Sequence, residues 1–167
     1  MRKTNFDHMA ETENSKHIKS TADKVFQALT DPRAIEIWQV PNDMTGKVHS
    51  YNFNVGGKYE MSLYYPDTDN TMKGKSGEKE DKFTAEFIEI IPNKKIVEKV
   101  HFQSDNPSFK EPMTMQINLE PESDGTKVTF AFKNIPKGIK PEDNEEGTIS
   151  SLEKLAKLVE NSFNRKM

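Results

Sequence analysis

PEDNEEGTISSLEKLAKLVENSFN, residues 141–164, is a long stretch of the chain with a helical period. Ile149, Leu152, Leu155, Ala156, Val159 and Phe163 fall on one stripe, while Glu153, Lys154, Lys157 and Glu160 fall elsewhere. At about 1.5 Å per residue, a helix of some 20 residues reaches about 30 Å, enough to cross a whole sheet. Upstream, the period is 2. Met113, Met115, Ile117 and Leu119 alternate with polar residues, Asp124-Gly125 turns the chain, and Val128, Phe130 and Phe132 return with the same alternation.

The same pattern extends further back. Residues 83–91 and 96–102 read as two more strands joined at Pro92-Asn93. Tyr51, Phe53 and Val55 alternate before Gly56-Gly57, and Tyr59, Met61, Leu63 and Tyr65 alternate after it, which predicts a tight hairpin. The connections are too short for parallel crossovers, so the strands form an antiparallel meander with one apolar face. Residues 66–82 and 104–112 read as polar loops, the first one mobile.

Two short helices precede the strands. Thr21 or Ser20 caps the first, in which Ala22, Val25, Phe26 and Leu29 share a face. Asp31-Pro32 opens the second, with Ile35 and Trp38 on its buried side. Residues 1–16 show no periodicity and are expected to form a loose N-terminal arm, leaving residues 17–167 as one domain. The expected fold is α+β, a helix-grip in which a curved antiparallel sheet wraps a long C-terminal helix.

Composition narrows the functional classes. The 167 residues carry 24 Lys and Arg against 27 Asp and Glu, a formal charge of only -3, which argues against nucleic-acid binding driven by counterion release. No cysteine is present, so thiol nucleophiles, disulfides and thiolate metal sites are excluded. No apolar run approaches the roughly 20 residues of a membrane span. The first twenty residues lack a signal-like apolar core, so the expected location is cytoplasmic, without membrane insertion.

Four segments together resemble the START-like, or SRPBCC, superfamily. They are TADKVFQALTDPRAIEIW (residues 21–38), FNVGGKYE (53–60), FIEIIPNKKIVEKV (87–100) and EEGTISSLEKLAKLVE (145–160). Within that superfamily the sequence is similar to the group named for the activator of heat-shock-protein-ninety ATPase, over roughly residues 18–163. One departure is Thr148, where closing helices of this group often carry an aromatic after the glycine. The larger co-chaperones of that name owe much of their ATPase stimulation to a separate N-terminal domain, which residues 1–16 are too short to supply. The resemblance implies an apolar or amphipathic small molecule, of lipid, sterol or aromatic class, held between sheet and helix. It also suggests a stress-linked accessory to a chaperone ATPase, and, since some START-like relatives cyclise or hydrolyse small aromatics in that cavity, an enzyme.

A bowl of strands closed by a straight helix leaves a gap that either side chains or a ligand must fill. Trp38 of the second short helix and Phe53, Phe87, Met115, Ile117 and Phe130 of the strands are candidate lining residues. Tyr59, Met61 and Leu63 join them from the hairpin, and Ile149, Leu152 and Ala156 form the helical wall. Access is expected near residues 31–46 and 104–112. Tyr59, Tyr65 and Glu98 offer polar contacts.

Glu98 shares its alternation with Ile96, Val100 and Phe102 and would point inward, where a carboxylate is costly unless paired or hydrated. In a cavity it could bind a polar group or act with a tyrosine as an acid–base pair. A bulge that turns it outward needs only one irregular residue and is the more economical reading. His8, His17, His49 and His101 have no metal-ligand spacing and no carboxylate partner by periodicity, and read as exposed or edge residues. The lysines and acids of residues 73–82 read as a solvated loop. No cofactor-binding or nucleophile motif is present, so the residues alone supply no convincing catalytic constellation.

Overall fold

A computed structural model describes residues 10–40, 43–66 and 80–165, with side chains as far as Glu160. The described residues open with a strand where a loose arm was expected. β1 (Ala10–Ile18) pairs antiparallel with β7 (Gly125–Ile135), from Ala10 opposite Ile135 to Ile18 opposite Thr126. Its inward positions include Thr12, Asn14 and Lys16, so the apolar alternation that marks a strand in sequence is missing. Residues 10–16 are therefore part of the sheet; residues 1–9, His8 among them, lie outside the described residues.

Two helices follow. α1 (Ala22–Thr30) buries Val25 and Leu29, and α2 (Pro32–Trp38) buries Ile35 and Trp38, as their periodicity predicts. Asp31 separates them, and its carboxylate accepts from the Arg33 N–H at 2.9 Å, capping α2. At α1 the N-cap is Thr21, but its hydroxyl donates to Asp23 rather than capping.

The remaining strands are β2 (Thr45–Tyr51), β3 (Lys58–Tyr64), β4 (Glu80–Ile91), β5 (Lys95–Phe102) and β6 (Met113–Glu122), leading to β7. All are antiparallel in one seven-stranded sheet, ordered β1-β7-β6-β5-β4-β3-β2. Residues 80–82, expected in a loop, begin β4; residues 67–79 lie outside the described residues. Asn93 and Asp124 adopt positive φ at the β4–β5 and β6–β7 turns, as their sequence positions suggest.

The Gly-Gly connection departs from a two-residue hairpin. Tyr51 pairs with Tyr59, so the intervening residues form a wide loop. Gly56 alone of the two glycines takes a positive φ, 87°. Gly57 is needed for closeness, since a Cβ there would lie 2.4 Å from the Asn52 carbonyl oxygen. The loop docks on β4 through Gly56 N–H to Phe87 O, 2.8 Å, and Phe87 N–H to Gly57 O, 2.9 Å. Val55, expected inward, is exposed as a result.

α3 (Pro141–Arg165) lies over the sheet and contacts β1, β7, α1 and α2. Leu152, Leu155, Ala156 and Val159 are buried beneath it. Ile149 is 46% exposed, contrary to its place in the expected stripe. At 100° per residue it lies about 80° from the centre of the buried face, which continues instead through Thr148 and Ser151. Phe163 falls beyond the described side chains. No helix among the described residues is long and apolar enough to cross a membrane.

Candidate functional site

The space between the sheet and the helices that cover it is filled at one end and hollow at the other. At the β2–β4 end, Tyr51, Phe53, Tyr59 and Phe87 form an aromatic cluster, with Phe53 edge-on to Phe87 at 4.9 Å between centroids. Side chains occupy the gap there. Toward β5–β7 a cavity of about 220 Å³ remains.

Its floor is apolar. Phe83, Val100, Met113, Met115, Phe130 and Phe132 reach it from four neighbouring strands, with Phe102 and Leu63 beside them. Strand alternation sends all of these to the same face, because successive side chains point to opposite sides of the sheet. Trp38 and Gln39 supply one wall and Ile139 another. Trp38 is held by its indole N–H, which donates to the Ala28 carbonyl at 2.9 Å.

The roof is polar and small. Asp143, Asn144, Gly147, Thr148 and Ser151 recur at helical spacing along the first turns of α3 and all border the cavity. Thr12 of β1 donates to Asn144 Oδ1 at 2.6 Å, which ties this end of the helix to the sheet, and Thr148 donates to the Asn144 carbonyl one turn back within the helix at 2.7 Å. Asp143 is exposed and Asn144 and Gly147 are half-buried, so the cavity opens at the start of α3. Of the two segments expected to flank the access, only residues 31–46 contribute to the lining, and the 104–112 loop reaches it at second hand. Residues 31–46 contribute Trp38 and Gln39, and Phe109 of the 104–112 loop packs on the lining ring of Phe102 at 6.1 Å.

Of the residues singled out from sequence, Trp38, Leu63, Met115 and Phe130 line this cavity. Phe53, Tyr59 and Phe87 belong to the aromatic cluster, and Met61, Ile117, Leu152 and Ala156 are buried in packed core. The Tyr65 hydroxyl donates to buried Asp81 at 2.7 Å. Ile149 faces away. The strand positions not singled out, such as Phe83, Met113 and Phe132, share the inward parity of those that were. The roof residues carry a subtler signal: they continue the Leu152 stripe upstream with small and polar types where core would demand apolar ones.

Glu98 points inward and is 5% exposed. The outward reading is overturned because the bulge lies in the neighbouring strand, between Phe87 and Glu89, and leaves the alternation of β5 intact. Tyr59 Oη lies 3.2 Å from Glu98 Oε1 and 3.1 Å from Gln39 Oε1. Burial pushes the Glu98 carboxyl up to about 7, against the opposing pull of the Tyr59 hydroxyl. Burial and the nearby Glu98 also drive the Tyr59 hydroxyl well above its usual range, so it stays protonated. Glu98 itself does not line the cavity; Gln39 does.

The described histidines take no part. His17, against expectation, has a carboxylate partner, with Nδ1 2.6 Å from Glu122 Oε1 at the surface. The two residues are far apart in sequence and meet only through the β1–β7–β6 arrangement, which was not foreseen. His49 Nε2 lies 2.9 Å from Ser62 Oγ on the outer face.

Comparisons with known proteins agree with this architecture. A protein from Chromobacterium violaceum is similar at 26% identity and a TM-score of 0.79, over 90% of this chain and 96% of that one. A Staphylococcus epidermidis protein aligns at 20% identity and TM-score 0.71, covering 95% and 92% respectively. The AHSA1-like protein from Aeromonas hydrophila aligns at 17% identity and TM-score 0.68, covering 92% and 94%. No curated protein matches the chain. The model of the family described as Activator of Hsp90 ATPase homolog 1-like protein matches residues 19–160, which takes in both short helices, strands β2 to β7 and every described side chain of α3, and the chain belongs to that family.

Proposed function

We propose that the protein is a binding domain for a small apolar or amphipathic molecule, held between the β5–β7 end of the sheet and the first turns of α3. The observation that carries this reading is the cavity of about 220 Å³ with a floor of carbon and sulfur and a polar rim. Close packing is the normal state of an interior, so a hollow of this size under a helix calls for an occupant. A dry cavity of about 150 Å³ accepts benzene, and drug-sized pockets begin near 300 Å³. The volume therefore favours a single ring or short chain over a sterol. Met113 and Met115 in the floor suit a guest of variable shape.

Trp38 is the single tryptophan and lines the cavity, so its emission reports on occupancy. Ethylbenzene, hexanol and naphthalene are suitable probes. Binding is expected to change that emission and to raise the melting temperature through linkage. Probes that move neither, up to their aqueous solubility, sink the reading.

The family's description favours a second reading, an accessory that acts on a chaperone ATPase. Co-precipitation with heat-shock protein 90, or a change in its ATP turnover without any small molecule, would support it. Catalysis finds less support, since Glu98 with Tyr59 is the pair it would use and neither borders the cavity.

A further inference from the structure

A hydroxyl carries one proton, yet Tyr59 Oη lies within bonding distance of two acceptors, Glu98 Oε1 at 3.2 Å and Gln39 Oε1 at 3.1 Å. It can donate to only one of them. Which one is satisfied depends on whether the carboxyl behind it brings a proton of its own. We propose that Gln39 is the hydrogen-bonding contact for the cavity's guest, and that the proton on Glu98, acting through Tyr59, selects which end of the Gln39 amide faces that guest. This rests on the binding reading above and names the polar chemistry its ligand presents.

With Glu98 protonated, its O–H donates to Tyr59 Oη, and Tyr59 donates to Gln39 Oε1. The Gln39 amide N–H groups are then left for the cavity, and a guest carrying an acceptor, such as a carbonyl, is held. With Glu98 ionised, the charge-assisted bond from Tyr59 to the carboxylate is the stronger one. Gln39 Oε1 would then face an oxygen with no proton between them, and the amide turns over so that Nε2 donates to Tyr59. Its carbonyl is now presented to the cavity and selects a guest carrying a hydroxyl or N–H.

The surroundings of Glu98 leave this proton without competition. Tyr59 of β3 is the titratable group that acts on it, Glu98 in turn raises Tyr51 of β2, and both tyrosines stay protonated. Its cross-strand neighbours, Phe87 on β4 and Met115 on β6, are apolar, and so are Ile96 and Val100 on its own strand. Asp143 of α3 stands across the cavity at the solvent rim. The Gln39 side chain makes no other hydrogen bond among the described residues. The value near 7 places the exchange within reach of ordinary pH changes.

The test compares acetophenone, an acceptor, with ethylbenzene, of similar shape and no polar group, at pH 5.5 and 8.5. Acetophenone is expected to bind about threefold to tenfold tighter at pH 5.5, the worth of one net hydrogen bond. The preference should vanish at pH 8.5, persist there in Glu98→Gln, and be absent at both pH values in Gln39→Leu. The Gln39 side-chain amide signal in nitrogen-15 spectra of the free protein should titrate, and stand still in Glu98→Gln. Ethylbenzene binding with no acetophenone preference, or a preference untouched by Gln39→Leu, overturns the proposal and leaves the cavity reading standing. A flat amide signal across the range overturns the role of Glu98. Failure of both probes to bind at either pH refutes the cavity reading and the guest contact together.

Discussion

Trp38 and Phe130 pack with ring centroids 5.6 Å apart, so helix α2 and strand β7 share one wall of the cavity. Both rings are almost wholly buried. Phe130→Ala removes the larger part of this contact and extends an existing hollow, so collapse cannot compensate. A loss of about 3–5 kcal/mol is expected, with Trp38 emission shifting toward that of a looser environment. Urea unfolding followed by that emission measures both; a loss below 1 kcal/mol would show that the wall is carried by other residues.

Glu98 makes stability depend on pH with a definite sign. Its carboxyl is raised from 4.5 to about 7 on folding, so between those values the folded state keeps a proton that the unfolded chain has lost. Stability therefore falls as pH rises through that window and levels off above it. The full effect is about 3 kcal/mol at most. Glu98→Gln is expected to remove this slope and to be more stable than the parent at pH 8. Equal pH dependence in the two proteins would assign the titration elsewhere.

Gly147 sits inside α3 with the cavity beneath it. Glycine in a helix interior costs about 1 kcal/mol relative to alanine. Gly147→Ala should recover much of that in thermal unfolding while trimming the hollow. Gly147→Leu should keep the fold and abolish the emission change and the melting shift caused by ethylbenzene. Undiminished probe binding in Gly147→Leu would place the probe at another site.

Asp31 ends α1 through its backbone N–H to Gln27 and begins α2 through its side chain. Asp31→Ala removes only the second role and is expected to cost about 1 kcal/mol. Asp31→Asn, which can cap as well, should restore most of it. If both variants lose the same amount, the charge rather than the cap is what matters.

Most of the fold is readable from alternation and helical period, because β3 to β7 each bury one face and leave the other in water. β1 escapes that reading: it is an edge strand whose inward residues, Thr12, Asn14 and Lys16, meet the helix and its polar roof rather than an apolar core. The Gly-Gly loop misleads because Gly57 is required by a close backbone approach, which no local pattern encodes. The cavity was legible only in half. Its floor follows from strand parity, but Gln39 and the roof residues are ordinary surface types in sequence, and only the crossing of α3 over the sheet brings them to one place. Glu98 was visible as an anomaly, and the bulge invoked to remove it belongs to the strand next door.

The pairing of β1 with β7 has a temporal consequence during synthesis. More than a hundred residues separate the partners, and at roughly 5–20 residues per second the ribosome needs on the order of 5–20 s to supply the second after the first. For that interval the earliest strand has nothing to add to. Its hydrophilic make-up keeps it hydrated while it waits, and the sheet's last ladder can zip only when translation of the domain is nearly finished.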